Sequence, residues 1–205
     1  MTDWYKIKRV LTWVNWEEKQ IYPAIKVLEY DFTTDYHWFS YYNKNSSPFS
    51  YGRDSNWLYI YYWTSWYWMV AWSMPSSLYT TQWVLQKIEL KQYSTASWNW
   101  LWICNSAADN ANLVLRVWSS VIEKKINTSS WSSTSVTVPT DYTFTIDLVN
   151  KETYISTSPS TKFALTDSEV TYIRDTFTNW NLRLCNMRYA SGTYSYLQNA
   201  KFYIK

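Results

Sequence analysis

Residues 113–126 read LVLRVWSSVIEKKI, and residues 142–156 read YTFTIDLVNKETYIS. In each, apolar residues recur at every second position on both sides of a short polar break. That is the period of strands whose two faces meet different surroundings, and the breaks are hairpin turns. One turn runs through Trp118-Ser119 and the other through Asn150-Lys151. Working outward, the same alternation predicts strands at Ile25–Phe32, Leu58–Tyr62, Tyr67–Ser73, Val84–Tyr93, Leu101–Asn105, Ser135–Val138, Leu182–Met187 and Tyr194–Ile204. Residues 33–56, rich in Tyr, Asn and Ser, read as a long surface connection holding one short strand. A helix is predicted once, over Asp167–Phe177, where Thr166 and Glu169 have the spacing of a capping box.

The chain is therefore predicted to be all-β, with one short helix. At the N-terminus, Lys6–Val14 and Glu17–Tyr22 flank Asn15-Trp16 as a hairpin that Pro23 closes. We divide the chain into a hairpin segment for attachment, residues 1–24, and one domain, residues 25–205. A chain of 205 residues is long enough for a single sizeable core.

Composition departs from the ordinary in one way. The chain has 16 Trp and 2 Gly, where a soluble domain of this length carries roughly 14 Gly. Several indoles sit where a turn calls for Gly: Asn15-Trp16, Asn56-Trp57, Ser65-Trp66, Ser97-Trp98, Asn99-Trp100, Ser130-Trp131 and Asn179-Trp180, whereas Trp4 sits at no obvious turn and reads as a genuine indole. One cause would explain both the excess and the deficit: a reading frame from a lineage in which UGA encodes Gly, translated with a table in which UGA encodes Trp. The alternative is a Trp-rich surface protein whose turns use Asn and Ser. The first reading expects these indoles in exposed loops, some at positive φ, and a core not built from Trp.

Net charge is +3, spread evenly, and the basic run Lys6–Arg9 alternates with apolar residues like a strand face. No nucleic-acid partner is expected. No apolar run approaches the ~20 residues of a membrane span, so no membrane insertion is expected, and no secretion leader is recognised. Cys104 and Cys185 could form one disulfide, but 81 positions apart they carry no framework signal, and free buried thiols are the preferred reading. They close a weak echo between residues 99–105 and 179–186, each a turn followed by a strand ending in Cys-Asn.

The strand order, the late helix and the ending Leu197–Ile204 (LQNAKFYI) resemble the concanavalin A-like, laminin-G-like jelly roll over residues 25–205. The resemblance implies two stacked antiparallel sheets, a jelly-roll sandwich whose concave sheet or rim loops bind glycans. The opening Asp3–Leu11 with Gln20–Pro23 looks like the start of phage tail or surface-appendage proteins. Together these imply a virion or extracellular location, neighbouring virion subunits as partners and a homo-oligomer.

Catalytic chemistry finds little to work with. His37 is the only histidine, which excludes multi-His metal sites. Glycoside hydrolysis needs two carboxylates roughly 5–10 Å apart across a cleft. Glycosidases that resemble this fold set theirs as Glu-x-Asp-x-x-Glu on one strand, a string this chain lacks. Asp31, Asp35, Glu89, Asp147 and Glu152 read as scattered strand-face charges. No catalytic residue, metal or cofactor is assigned.

Sugar binding needs an aromatic face and a few hydrogen-bonding groups. Tyr59, Tyr61, Tyr67 and Trp68 are the candidate faces, with Asn105, Asp109 and Asn110 as candidate polar partners for a cell-surface glycan. Should the indoles be misread Gly, the tyrosines are what remains of that platform.

Overall fold

The computed structural model describes residues 6–8, 11–14, 17–20, 25–32, 34, 40–43, 49–53, 58–62, 68–73, 83–95, 99–105, 112–127, 129–179, 181–188 and 193–205. Two antiparallel sheets make up the body. The nine-stranded sheet runs β1 (Lys6–Lys8), β4 (Ile25–Asp31), β18 (Thr193–Ile204), β9 (Leu85–Ser94), β14 (Asp141–Asp147), β15 (Glu152–Ile155) and β16 (Phe163–Ala164). Strands β7 (Leu58–Tyr62) and β6 (Phe49–Arg53) join it beside β18. The seven-stranded sheet runs β13 (Ser132–Ser135), β12 (Val121–Ile126), β11 (Leu113–Trp118), β10 (Asn99–Cys104), β17 (Arg183–Arg188), β8 (Trp68–Ser73) and β5 (Ser40–Asn43). This is the antiparallel two-sheet jelly-roll sandwich, in which the early strand β4 pairs with the C-terminal strand β18.

Alternation decides which side chains meet between the sheets. Ile88, Leu90, Phe144, Ile146, Leu197, Ala200 and Phe202 from one sheet are fully buried, as are Leu101, Ile103, Leu115, Val117, Ile122 and Leu184 from the other. Among the described residues, the core cluster between the sheets contains no Trp, but Trp102 of β10 is buried outside it at 6% exposed; Trp83 packs against the cluster's margin, Trp131 is 48% exposed, and Trp100 lies within β10 rather than at a turn. Trp16, Trp57, Trp66, Trp98 and Trp180 lie outside the described residues. Among the described residues the positive-φ non-Gly positions are Ser119, Asn127 and Lys151, so no described indole occupies the left-handed region.

The helix α1 (Asp167–Thr178) begins as predicted. Thr166 Oγ1 accepts from the Glu169 N–H at 3.2 Å, and Glu169 Oε2 accepts from the Thr166 N–H at 2.7 Å. Val170, Ile173 and Phe177 lock it onto the core. Glu169 also meets Lys124 of β12 at 2.8 Å, and Lys124 Nζ donates to Ala164 O at 2.7 Å. A charge buried this far needs such partners. Inside the nine-stranded sheet, the Tyr142 hydroxyl donates to Gln92 Oε1 at 2.6 Å, and Gln92 Nε2 donates to Ser195 Oγ at 2.8 Å.

Several expectations shift in detail. Pairing of Trp118 with Val121 centres the first turn on Ser119-Ser120, one residue later than predicted, with Ser119 at φ 51°. Residues 33–56 hold two strands, β5 and β6, where one was expected. The strand expected at Ser135–Val138 forms at Ser132–Ser135. Val136 and Val138 instead pack against the core beyond it. At the N-terminus β2 (Leu11–Val14) and β3 (Glu17–Gln20) pair as a hairpin, while Lys6–Lys8 pairs with β4 of the main sheet. The turn residues Asn15 and Trp16 lie outside the described residues.

Candidate functional site

Strand β18 places its odd and even residues on different sides. Ser195, Leu197, Ala200, Phe202 and Ile204 are buried inward. Tyr194, Tyr196, Asn199, Lys201 and Tyr203 take the outer face, and a one-residue bulge between Leu197 and Asn199 re-phases the strand. On the neighbouring β9, Ile88, Leu90 and Gln92 turn inward, leaving Lys87, Glu89, Lys91 and Tyr93 outside.

The result is a run of four tyrosine rings across three strands. Tyr93 lies opposite Tyr196 and stacks on it at 6.0 Å between centroids. Tyr196 stacks on Tyr194 at 5.3 Å, nearly parallel at 7°. Tyr59 of β7 meets Tyr194 edge to face at 5.7 Å. Tyr196 is buried by its neighbours, whereas Tyr59, Tyr93 and Tyr194 are half-buried and keep part of each ring in solvent.

Polar groups continue the same face along β9 and β18. Lys87 pairs with Glu89 at 2.7 Å and lies 3.9 Å from the Tyr203 ring centroid. The Tyr203 hydroxyl donates to Glu89 Oε2 at 2.7 Å. Burial first, and then the Glu89 carboxylate, push that hydroxyl well above the usual phenol range. Lys201 pairs with Glu29 at 3.0 Å, and Asn199 Nδ2 donates to Glu29 at 3.2 Å. The outer sheet thus offers rings at one end and fixed donors and acceptors at the other.

Of the residues predicted for a glycan site, Tyr59 belongs to this run. Tyr61 lies on the same strand, its backbone paired with that of Tyr194; its side chain is outside the described residues. Trp68 is in β8 of the other sheet, so the structure does not bring it to Tyr59. Asn105 has a fold role: Oδ1 accepts from the Leu113 N–H at 3.1 Å, and Nδ2 donates to the Tyr172 hydroxyl at 3.4 Å. Tyr67, Asp109, Asn110, Asp35 and His37 lie outside the described residues. Asp147 accepts from the N–H groups of Val149 and Asn150 and braces a turn, while Glu152 pairs with Lys162 at 2.8 Å. Reading Tyr194-Ser195-Tyr196 by its own period of two would have put those two rings on one face, whereas Tyr93 joins them only through the β9–β18 register.

A second concavity lies on the seven-stranded sheet. A pocket of about 290 Å³ is lined by Arg116, Trp118, Glu123, Trp131, Ser132 and Ser133. The Arg116 guanidinium lies 4.5 Å from the Trp131 ring, 5.1 Å from Trp118 and 5.6 Å from Trp102, and pairs with Glu123 at 2.6 Å. The protein's own cation occupies the aromatic box, and the box exists only where those indoles do. Among the described residues, no group of three or more His, Cys, Asp or Glu is placed to hold a metal, and no helix is long and apolar enough to cross a membrane.

No protein-family model matches the chain, and no curated protein matches it. Solved structures of similar backbone do exist. One comes from work on botulinum neurotoxin type C, whose cell entry depends on interaction with two ganglioside molecules. It is 11% identical with a TM-score of 0.46, over 97% of this chain and 47% of that one. Another belongs to work on endo-acting O-glycanases of human gut microbiota that initiate mucin breakdown (9% identity, TM-score 0.49, 84% of this chain and 94% of that one). A galectin of Caenorhabditis elegans is 9% identical with a TM-score of 0.35, over 60% of this chain and 83% of that one. The chain spans about half the length of the neurotoxin chain, and at these identities and scores the likeness concerns architecture alone.

Proposed function

We propose that this chain is a non-enzymatic glycan-recognition sandwich of a phage or phage-derived particle. It would be displayed on the virion or extracellular surface and bind cell-surface glycan through the outer face of the nine-stranded sheet. The observation that carries this reading is the Tyr93–Tyr196–Tyr194–Tyr59 run beside the Glu89, Lys201 and Asn199 groups. Half-exposed rings cover the apolar face of a pyranose, and charged side chains already held by neighbours hydrogen-bond hydroxyls at little further entropy cost. Several copies, joined to other virion subunits through residues 1–24, raise a weak single-site affinity.

The same reading includes glycine at many of the indole positions of the natural chain. A core cluster that holds no Trp among the described residues supports it, and the tyrosine face does not depend on the exchanged positions. The second reading is a cell-surface carbohydrate-binding module, for which the same face serves. A polysaccharide lyase or hydrolase on this sandwich is a third. Against it, Glu29, Glu89, Glu123, Glu152 and Glu169 each engage a lysine or arginine within 3.0 Å.

A glycan array with the intact chain tests the proposal. At least one glycan should bind, Tyr194→Ala should lower its affinity about tenfold or more, and Tyr194→Phe should keep it, since the ring and not the hydroxyl makes the face. No bound glycan, or binding indifferent to Tyr194→Ala and Tyr59→Ala, would end the recognition reading. Shortening of a bound polysaccharide would end its non-enzymatic part.

A further inference from the structure

Cys104 closes β10, and Cys185 lies in β17, the strand paired with it. In that register Cys104 faces Arg183 and Cys185 faces Trp102, so the cysteines are diagonal neighbours on one face of the sheet. Neither belongs to the core cluster between the sheets. Both are nonetheless buried, 1% and 0% exposed, as free thiols with their sulfurs 2.7 Å apart. Two strands that echo each other in sequence thus bring their cysteines together, Cys104 at the end of β10 and Cys185 inside β17, which runs on to Arg188 rather than ending in Cys-Asn.

We propose that Cys104 and Cys185 are an oxidation site, which a small-molecule disulfide such as oxidised glutathione converts to an intramolecular cross-strand bridge. One cysteine thiolate attacks the small disulfide, forming a mixed disulfide and releasing one glutathione thiolate. The other cysteine then attacks the protein sulfur of that adduct and displaces the second. Two S–H bonds are lost and one S–S bond is made. The small disulfide is reduced to two thiols, which take up both protons.

Burial decides between a bridge and separate adducts. With both sulfurs inaccessible, a tripeptide on each would have to displace packed neighbours, whereas the bridge needs only the approach already present. Burial, and then the adjoining Cys104 thiol, hold Cys185 well above the usual thiol range. Attack by the folded protein is therefore slow at neutral pH, and the bridge forms while β17 docks on β10. It ties together positions 81 residues apart in the middle of the seven-stranded sheet.

The test refolds the whole chain from guanidinium with either oxidised or reduced glutathione. Thiols are then counted in denaturant, and intact mass and Tm are measured. Oxidative refolding should leave no titratable thiol and a monomer lighter by two hydrogens. Its Tm should lie about 10 °C above that of the reduced form. Two remaining thiols, a glutathione adduct on each cysteine, or a disulfide-linked dimer would each overturn the proposal.

Discussion

Lys124 sits on the inward side of β12 between the apolar Ile122 and Ile126, and its charge is tolerated because Glu169 and the Ala164 carbonyl meet it. Lys124→Met should cost about 3–5 kcal/mol in urea unfolding, because a buried carboxylate is left alone, while Lys124→Met with Glu169→Leu should recover most of it. A double variant no better than the single would refute the pairing account. Burial alone would raise the Glu169 pKa, but hydrogen bonds from Lys124 and Thr166 outweigh it and leave it lowered. A carboxylate lowered on folding contributes fully above its unfolded value, about 4.3, and that contribution disappears as pH falls through the folded value. The Tm of the native chain should therefore fall more steeply below about pH 4.3 than that of the double variant; parallel profiles would contradict this. Tyr142→Phe should cost about 1–3 kcal/mol by stranding the buried Gln92 Oε1.

Turns and caps show how far elements could be read from the chain. In the β11–β12 hairpin only the first loop residue, Ser119, is at positive φ, the pattern of a turn that favours Gly there. Ser119→Gly should raise stability by about 0.5–1 kcal/mol, and a loss in thermal unfolding would show the turn is not strained. The β11, β12 and α1 segments were legible because a two-residue period and a capping box are local signals. Strand β13 was not, because its Ser132–Ser135 run pairs through backbone alone and carries no apolar period. Nearby Val136 and Val138 supplied the signal without the pairing. The site followed the same rule. Tyr59 stood out in an aromatic run, whereas Tyr93 and Tyr196 become partners only through the pairing of β9 with β18, sequence-distant strands whose register no local pattern reports. Asn105 looked like a loop ligand because its bond to Leu113 N depends on the same kind of closure.

At the scale of the whole molecule, aliphatic and Phe side chains with Tyr142 fill the space between the two sheets, no described indole belongs to that cluster, and a tyrosine face turns outward. Trp118 and Trp131 enclose Arg116, which also pairs with Glu123 on the neighbouring strand, a contact that involves no indole. The most direct measurement compares thermal unfolding of two full-length chains, one with Trp throughout and one with Gly at the indole positions other than Trp4. The Gly chain should unfold in a single cooperative transition, at a temperature no lower than that of the Trp chain. A Gly chain without a cooperative transition, beside a Trp chain that has one, would contradict it.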